Sequence, residues 1–258
     1  MRKLLDKLER RSDSHKGENG RVAVIAGSQD FAGAPALSAK AALRSGCDLV
    51  KILTSEHVSD TVAGYSENFI VDSHEGGYFG EDAVDKALKL DEWADVTVVG
   101  PGLSEVDRVA LQEFLELAES ELVIDADAIA PAVRKGIKGV YTPHSGELEH
   151  IVESYGSEED FVSDTGSILA VKGEKDIIYT EEDSFEISRG TSAMTVGGTG
   201  DVLTGIVSSF ISQGLDLVEA CKLGVWINDK AGELATEDYG NGMLATDLIE
   251  KIPEAIQD

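Results

Sequence analysis

The stretch Thr195-Val-Gly-Gly-Thr-Gly-Asp-Val-Leu-Thr-Gly205 holds four glycines, and a single acid, Asp201, stands directly after Gly200. Apolar residues then recur at helical spacing: Val202, Leu203, Ile206, Val207, Phe210 and Ile211. The pattern predicts a glycine turn running into a helix with one buried face. Glycines let the backbone turn tightly and leave its N–H groups uncovered. The helix start adds unpaired N–H groups and a partial positive charge. Such a place suits a phosphate or another anion. Asp201 would repel that anion, unless it serves as a base on a substrate hydroxyl beside the phosphate. The other reading is an acid that caps the helix, with glycines kept for close packing. The stretch alone does not choose between them.

The chain before it alternates. Arg21 to Gly27 reads as a short buried strand, followed by a helix from about Pro35 to Ser45 and a strand at Leu49–Thr54. Further strands are expected at Phe69–Val71, Val96–Gly100, Glu121–Asp125 and Gly139–Thr142, with helices at Asp82–Leu90, Asp107–Ala118 and Ser145–Glu153. Ile168–Lys172 and Asp176–Thr180 are separated by Gly-Glu-Lys alone and read as a hairpin. The last third is helical, at Gly198–Ser212, Leu217–Glu237 and Leu244–Lys251. Strand–helix alternation with continuous β-branched runs argues a mostly parallel sheet covered by helices on both faces. No repeat or long linker interrupts it, so residues 1–258 are expected to form one domain.

Composition narrows the class. Hydrophobic residues make up 42% and aromatics 6%, which fits an α/β core of Val, Ile, Leu and Ala. No apolar run approaches the ~20 residues of a membrane span. The charged N-terminus lacks a secretory apolar core, so the expected compartment is the cytoplasm. Cys47 and Cys221 lie in apolar surroundings without Cys-x-x-Cys spacing and read as reduced, buried thiols. Basic residues number 22 against 49 acids, a net charge of −27 spread along the chain. Such a surface repels nucleic acid and anionic membranes. It fits a protein adapted to high salt, where screening shortens the reach of self-repulsion.

In open α/β sheets ligands bind outside the carboxyl ends of the strands. Five loops follow predicted strands: Ala32–Ala34, Gly100–Gly102, Asp125–Asp127, Pro143–Glu147 and Lys172–Asp176. Thr195–Gly205 adds a sixth wall. No Gly-x-x-x-x-Gly-Lys-Ser/Thr occurs, which excludes a P-loop protein. Gly100-Pro-Gly102 and Gly198-Thr-Gly200 each lack the third glycine of a dinucleotide fingerprint, which argues against hydride transfer on a Rossmann fold. His144, Glu147 and His150 are spaced three apart, yet Pro143 precedes the helix and His150 reads as surface, so no metal ligands are assigned.

Across its whole length the chain resembles the ADP-dependent NAD(P)H-hydrate dehydratases. The matching pieces, in family order, include His15-Lys-Gly17, Gly33-Ala34, Gly100-Pro-Gly102-Leu, Asp125-Ala-Asp127-Ala, Thr142-Pro-His144-Ser-Gly-Glu147, Val171-Lys-Gly173, Gly198-Thr-Gly200-Asp201 and Gly242-Met-Leu-Ala-Thr-Asp247. Gly-Thr-Gly-Asp points only to the wider kinase-like superfamily, whereas the Thr142 and Gly242 segments together are far more specific. The resemblance implies a ribokinase-like three-layer α/β sandwich. It implies ADP-dependent dehydration of the S epimer of hydrated NADH or NADPH, through phosphoryl transfer from ADP to the ring hydroxyl and loss of phosphate. ADP is then a co-substrate and Mg²⁺ the charge partner of its diphosphate.

The resemblance assigns Asp201 as the base. Ala34, Gly102, His144 and Asp201 would contact the hydrated dinucleotide. Lys172, Gly173, Glu174, Lys175 and Asp176, with Gly198, Thr199 and Gly200, would hold the nucleotide. It also implies a homo-oligomer, a tetramer, and dependence on a separate epimerase. Asp125 and Asp127 read equally as structural caps and stay outside the catalytic set. Asn228-Asp229 stands where the family has a His-Gly pair, and the helix carrying it reads as scaffold. The rival function is an ATP-dependent small-molecule kinase of the same fold, of the hydroxyethylthiazole or hydroxymethylpyrimidine type, using the same glycines and the same Asp201.

Overall fold

A computed structural model describes residues 1–257. The elements run in this order: α1 (Arg2–Leu5), β1 (Arg21–Ile25), α2 (Gly33–Arg44), β2 (Leu49–Ser55), α3 (Ser59–Ala63), β3 (Ile70–His74), α4 (Glu81–Trp93), β4 (Val96–Val99), α5 (Arg108–Leu117), β5 (Glu121–Ile124), α6 (Ile129–Lys135), β6 (Val140–Tyr141), α7 (Ser145–Tyr155), α8 (Glu158–Thr165), β7 (Ile168–Val171), β8 (Asp176–Tyr179), β9 (Ser184–Ile187), α9 (Thr199–Ser212), α10 (Leu217–Tyr239) and α11 (Ala245–Gln257).

The nine strands form one sheet in the order β3-β2-β1-β4-β5-β6-β7-β8-β9. Pairing is parallel from β3 through β7, with Val24 opposite both Ile52 and Val98. β7, β8 and β9 then pair antiparallel, with Val171 opposite Ile177. The expected hairpin is therefore present, and β9 extends it. β9 did not announce itself in the sequence, because Ser184 and Glu186 face solvent and only Ile187 is fully buried. The short helices α6 and α8 also fall outside the predicted elements.

Alternate side chains of each strand feed two apolar layers. Val22, Val24, Val96, Val98, Val123 and Val140 pack under α2, α9, α10 and α11. Ile25, Val99, Leu122, Ile124, Tyr141 and Leu169 pack under α4 to α8. The result is the expected helix–sheet–helix sandwich. Helix α9 is nearly all interior, with Val202 to Ile211 buried. It reaches α2 through Gly205, where any side chain would run into the Ser38 carbonyl. Gly224 of α10 does the same against Val207, where a Cβ would sit 2.5 Å from its methyl. Both cysteines are free and buried, as their surroundings predict. Among the described residues no helix is long and apolar enough to cross a membrane.

Candidate active site

Loops at the carboxyl ends of β1, β4, β5, β6 and β7 lie side by side in sheet order and are stitched to one another. Gly27 N donates to Pro101 O at 2.9 Å, joining the loops after β1 and β4. Ser104 N donates to Asp127 Oδ2 at 2.8 Å, joining β4 to β5. Thr142 Oγ1 donates to Asp125 Oδ1 at 2.8 Å, and Lys172 N donates to Pro143 O at 2.9 Å. The row needs glycine where backbones meet: a side chain at Gly100 would run into the Asp125 carbonyl.

Across the row stands the start of α9. Gly198, its N-cap, has φ +96°, a backbone state that side chains rarely adopt. That turn leaves the first amides of α9 uncapped by any side chain, with Asp201 in the first turn. A Cβ on Gly198 would lie 3.9 Å from Asp201 Oδ2. A Cβ on Gly200 would lie 2.9 Å from Lys172 Nζ and 3.7 Å from Asp125 Oδ2. The glycines therefore do two jobs, holding the turn open and admitting a lysine and an acid close to the amides.

The charges are arranged as a square. Lys172 Nζ sits 3.0 Å from Asp125 Oδ1, with Asp125 almost wholly buried. Burial alone would push the Lys172 ammonium down, but Asp125 and Glu147 outweigh it and hold the ammonium charged. Burial pushes the Asp201 carboxyl up to about 7; Asp125 and Glu147 add to the rise while Lys172 opposes it. Glu147 is also raised, by burial first and then by Asp125. An acid that titrates near neutrality can take a proton and give it back.

Two cavities open from this point. One of about 510 Å³ is lined by Asp125, His144, Glu147, Lys172, Asp201 and the Gly198–Gly200 turn. The other, of about 750 Å³, runs from Lys172 and Gly200 along the 172–176 turn to Asn228, Asp229 and Glu233 of α10. They share Lys172, Gly173, Thr199 and Gly200. The turn is closed by Gly173 N donating to Asp176 Oδ1 at 2.9 Å, and burial raises Asp176. Glu174 and Lys175 are exposed, with Lys175 paired to Glu186 at 2.7 Å.

Every residue singled out in the sequence is placed at this end of the sheet, in two groups. Asp201, His144, Lys172–Asp176 and Gly198–Gly200 line the two cavities. Ala34 and Gly102 meet one another beside the row: a Cβ on Gly102, whose φ is +67°, would lie 3.0 Å from the Ala34 Cβ. Neither lines the cavities next to Asp201. His144 caps α7, with Nδ1 accepting from Gly146 N at 2.9 Å and Glu147 N at 3.3 Å. Its ring stays exposed at the cleft, so the cap and the cleft wall are one residue.

Two readings are corrected. Asn228 and Asp229 are not plain scaffold, since both line the larger cavity. Asp125 is not a helix cap, since its carboxylate holds Lys172 and Thr142. Its sequence signal was the strand end at Ile124, but its partner stands 47 residues away. Among the described residues no three His, Cys, Asp or Glu side chains converge to hold a metal.

An acid beside the open amides of a buried helix, over the carboxyl ends of a parallel sheet, defines a ribokinase-like enzyme site. A solved ribokinase-like superfamily protein from Enterococcus faecalis superposes with TM-score 0.82 at 26% identity, covering 98% of this chain and 94% of its own. The ADP/ATP-dependent NAD(P)H-hydrate dehydratase of Bacillus subtilis, crystallised with ATP and Mg²⁺, gives 0.81 at 25% identity, covering 96% and 93%. A family profile described as NAD(P)H-hydrate dehydratase matches residues 22–254. The ADP-dependent (S)-NAD(P)H-hydrate dehydratase of Natrialba magadii is 42% identical over 100% of this chain and 99% of its own length. This chain belongs to the NAD(P)H-hydrate dehydratase family.

Proposed function

We propose that this protein dehydrates the S epimer of hydrated NADH or NADPH with ADP as phosphoryl donor, releasing the dinucleotide, AMP and phosphate. The observation that carries the reading is the clustering of Asp201 and the Gly198–Gly200 amides, which line the smaller cavity, around Lys172, Thr199 and Gly200, which line both. A nucleotide in the larger cavity and the hydrated ring in the smaller would meet there.

In the first step the ring hydroxyl oxygen bonds to the β-phosphorus of ADP and the bridging bond to AMP breaks. Asp201 accepts the hydroxyl proton. Lys172 and the α9 amides face the charge that builds on the transferring group. In the second step the ring C–O bond breaks, phosphate leaves, and a ring proton is lost as the double bond forms. Mg²⁺ is commonly held by one or two carboxylates plus phosphate oxygens. Glu147 faces the smaller cavity while its carboxylate accepts from His144 N at 2.9 Å, and it would help hold such an ion, whose charge its carboxylate would offset.

The proposal includes a homotetramer acting in the cytoplasm, with epimerisation supplied by a separate protein. A relative from Methanothermobacter thermautotrophicus is a bifunctional NAD(P)H-hydrate repair enzyme, 35% identical, of which this chain covers 53%. The test is incubation with hydrated NADH and either ADP or ATP, following dihydronicotinamide absorbance. Recovery of absorbance with ADP supports the reading. Phosphorylation of an added alcohol by ATP, with no recovery from the hydrate, would replace it with the kinase.

A further inference from the structure

The larger cavity has two unlike ends. At one end stand Lys172 and the open amides of α9; from there the cavity follows the 172–176 turn to Asp229 and Glu233 of α10 at the other. A diphosphate belongs at the first end, because the second would set like charges together. The remainder of the nucleotide, its base, then faces α10.

What meets it there is unusual. Asn228 and Asp229 are 5% and 4% exposed, and Asn228 Oδ1 and Asp229 Oδ2 have no hydrogen-bond partner. A buried polar atom left unpaired is costly and rare. Here two such atoms lie on consecutive residues that line one cavity. The nearby cation does not serve them, because Arg189 is paired with Glu233 and stacks over Trp226 at 5.2 Å. Asn228 Oδ1 is an amide oxygen and can only accept, so it needs a donor from a bound molecule. The opposite side of this corner is Met194, whose sulfur would lie 2.3 Å from a Cβ on Gly232 and 3.3 Å from one on Gly190, and a thioether yields readily to an incoming ring.

We infer that Asn228 and Asp229 form a base-reading edge that selects an exocyclic amino group, the 6-amino group of adenine, over a 6-oxo group. The inference rests on the proposed use of a nucleotide phosphoryl donor. An amino group supplies two N–H donors, one for each orphaned oxygen. A 6-oxo base offers an acceptor there and only one N–H, on the adjacent ring nitrogen, so it cannot supply a donor to each of the two oxygens. Burial, then Asp176 and Glu233, push the Asp229 carboxyl up to about 8 against the pull of Arg189, so its O–H can also donate to an adjacent ring nitrogen.

ADP and IDP differ at the 6-position and in the proton that IDP carries on the adjacent N1, and titration calorimetry of the full chain at pH 7 with each is the test. The expected result is ADP binding tighter by at least about tenfold. In Asp229→Ala and in Asn228→Ala, each verified as folded by circular dichroism, that ratio falls toward one. Asp229→Asn, which keeps a carbonyl and an N–H donor, retains the preference for ADP. Equal affinity of the wild type for both, or the same ratio in wild type and both alanine variants, overturns the base reading alone. Binding of neither nucleotide overturns the proposed function with it.

Discussion

Asp201 and Asp229 are the same residue type at opposite ends of one cleft, and their surroundings put them to different uses. Burial raises both. At Asp201 the acids Asp125 and Glu147 add to the rise, Lys172 checks it, and the carboxyl reaches about 7. At Asp229 two acids, Asp176 and Glu233, join the burial, the nearest cation is engaged by Glu233, and the carboxyl reaches about 8. Both sites set burial and two acids against one cation; they differ in where that cation stands, Lys172 beside the open amides of α9 and Arg189 paired with Glu233. The lesson is that burial lifts an acid in such a cleft, and the placing of its counter-charge decides what the acid can do.

The largest way to break this comparison is to remove one carboxyl at a time. Asp201→Asn should lower turnover by ~10²–10⁴ while ADP affinity, measured by calorimetry, holds or tightens. If Asp229→Asn lowers turnover as much, the two acids share one role and the contrast is wrong.

The next test concerns stability. The Asp229 carboxyl ionises near 3.8 when unfolded and at about 8 in the fold, so the fold binds the proton more tightly. Its contribution is complete below 3.8 and is lost as pH rises to about 8. Asp229→Asn should therefore be the more stable protein at pH 8, by on the order of 3 kcal/mol, with the gap closing toward pH 5. Urea unfolding of both at several pH values measures it; a gap that does not change with pH would show that the carboxyl is already ionised in the fold.

The smallest effect sharpens the role of the neighbours. The rate with the hydrate should rise with pH through about 7, as Asp201 loses its proton. Asp125→Asn removes a repelling charge and should move that rise to lower pH by about one unit. Lys172→Met removes an attracting charge and should move it to higher pH. A kcat/KM profile that stays put in both variants would leave burial as the whole cause.

Much of this was legible in the chain. The parallel strands announced themselves through β-branched runs such as Val96–Val99, and the β7–β8 hairpin through the short Gly-Glu-Lys turn. Helix α8 was not, since among its many acids only Phe161 and Val162 are buried. The Gly198–Asp201 turn read as an anion site because its chemistry is local. The Lys172–Asp125 pair did not, because strand pairing brings those residues together and no spacing encodes it. Asn228-Asp229 looked like scaffold for the same reason: the cavity it lines exists only once α10 has packed beside the β7–β8 turn.

The glycine contacts of α9 have a consequence in time. With Val202 to Ile211 interior and Gly205 and Gly224 locking the neighbouring helices onto it, its amides can exchange hydrogen only when the whole fold opens. The segment before it, from Ser188 through Gly197, is largely exposed or half-exposed and holds far fewer buried contacts. Asp201 stands where this densely buried helix meets that open segment. In the proposed reaction the proton acceptor would then be held in position by the interior, while the wall facing the ligand is the less tightly packed side.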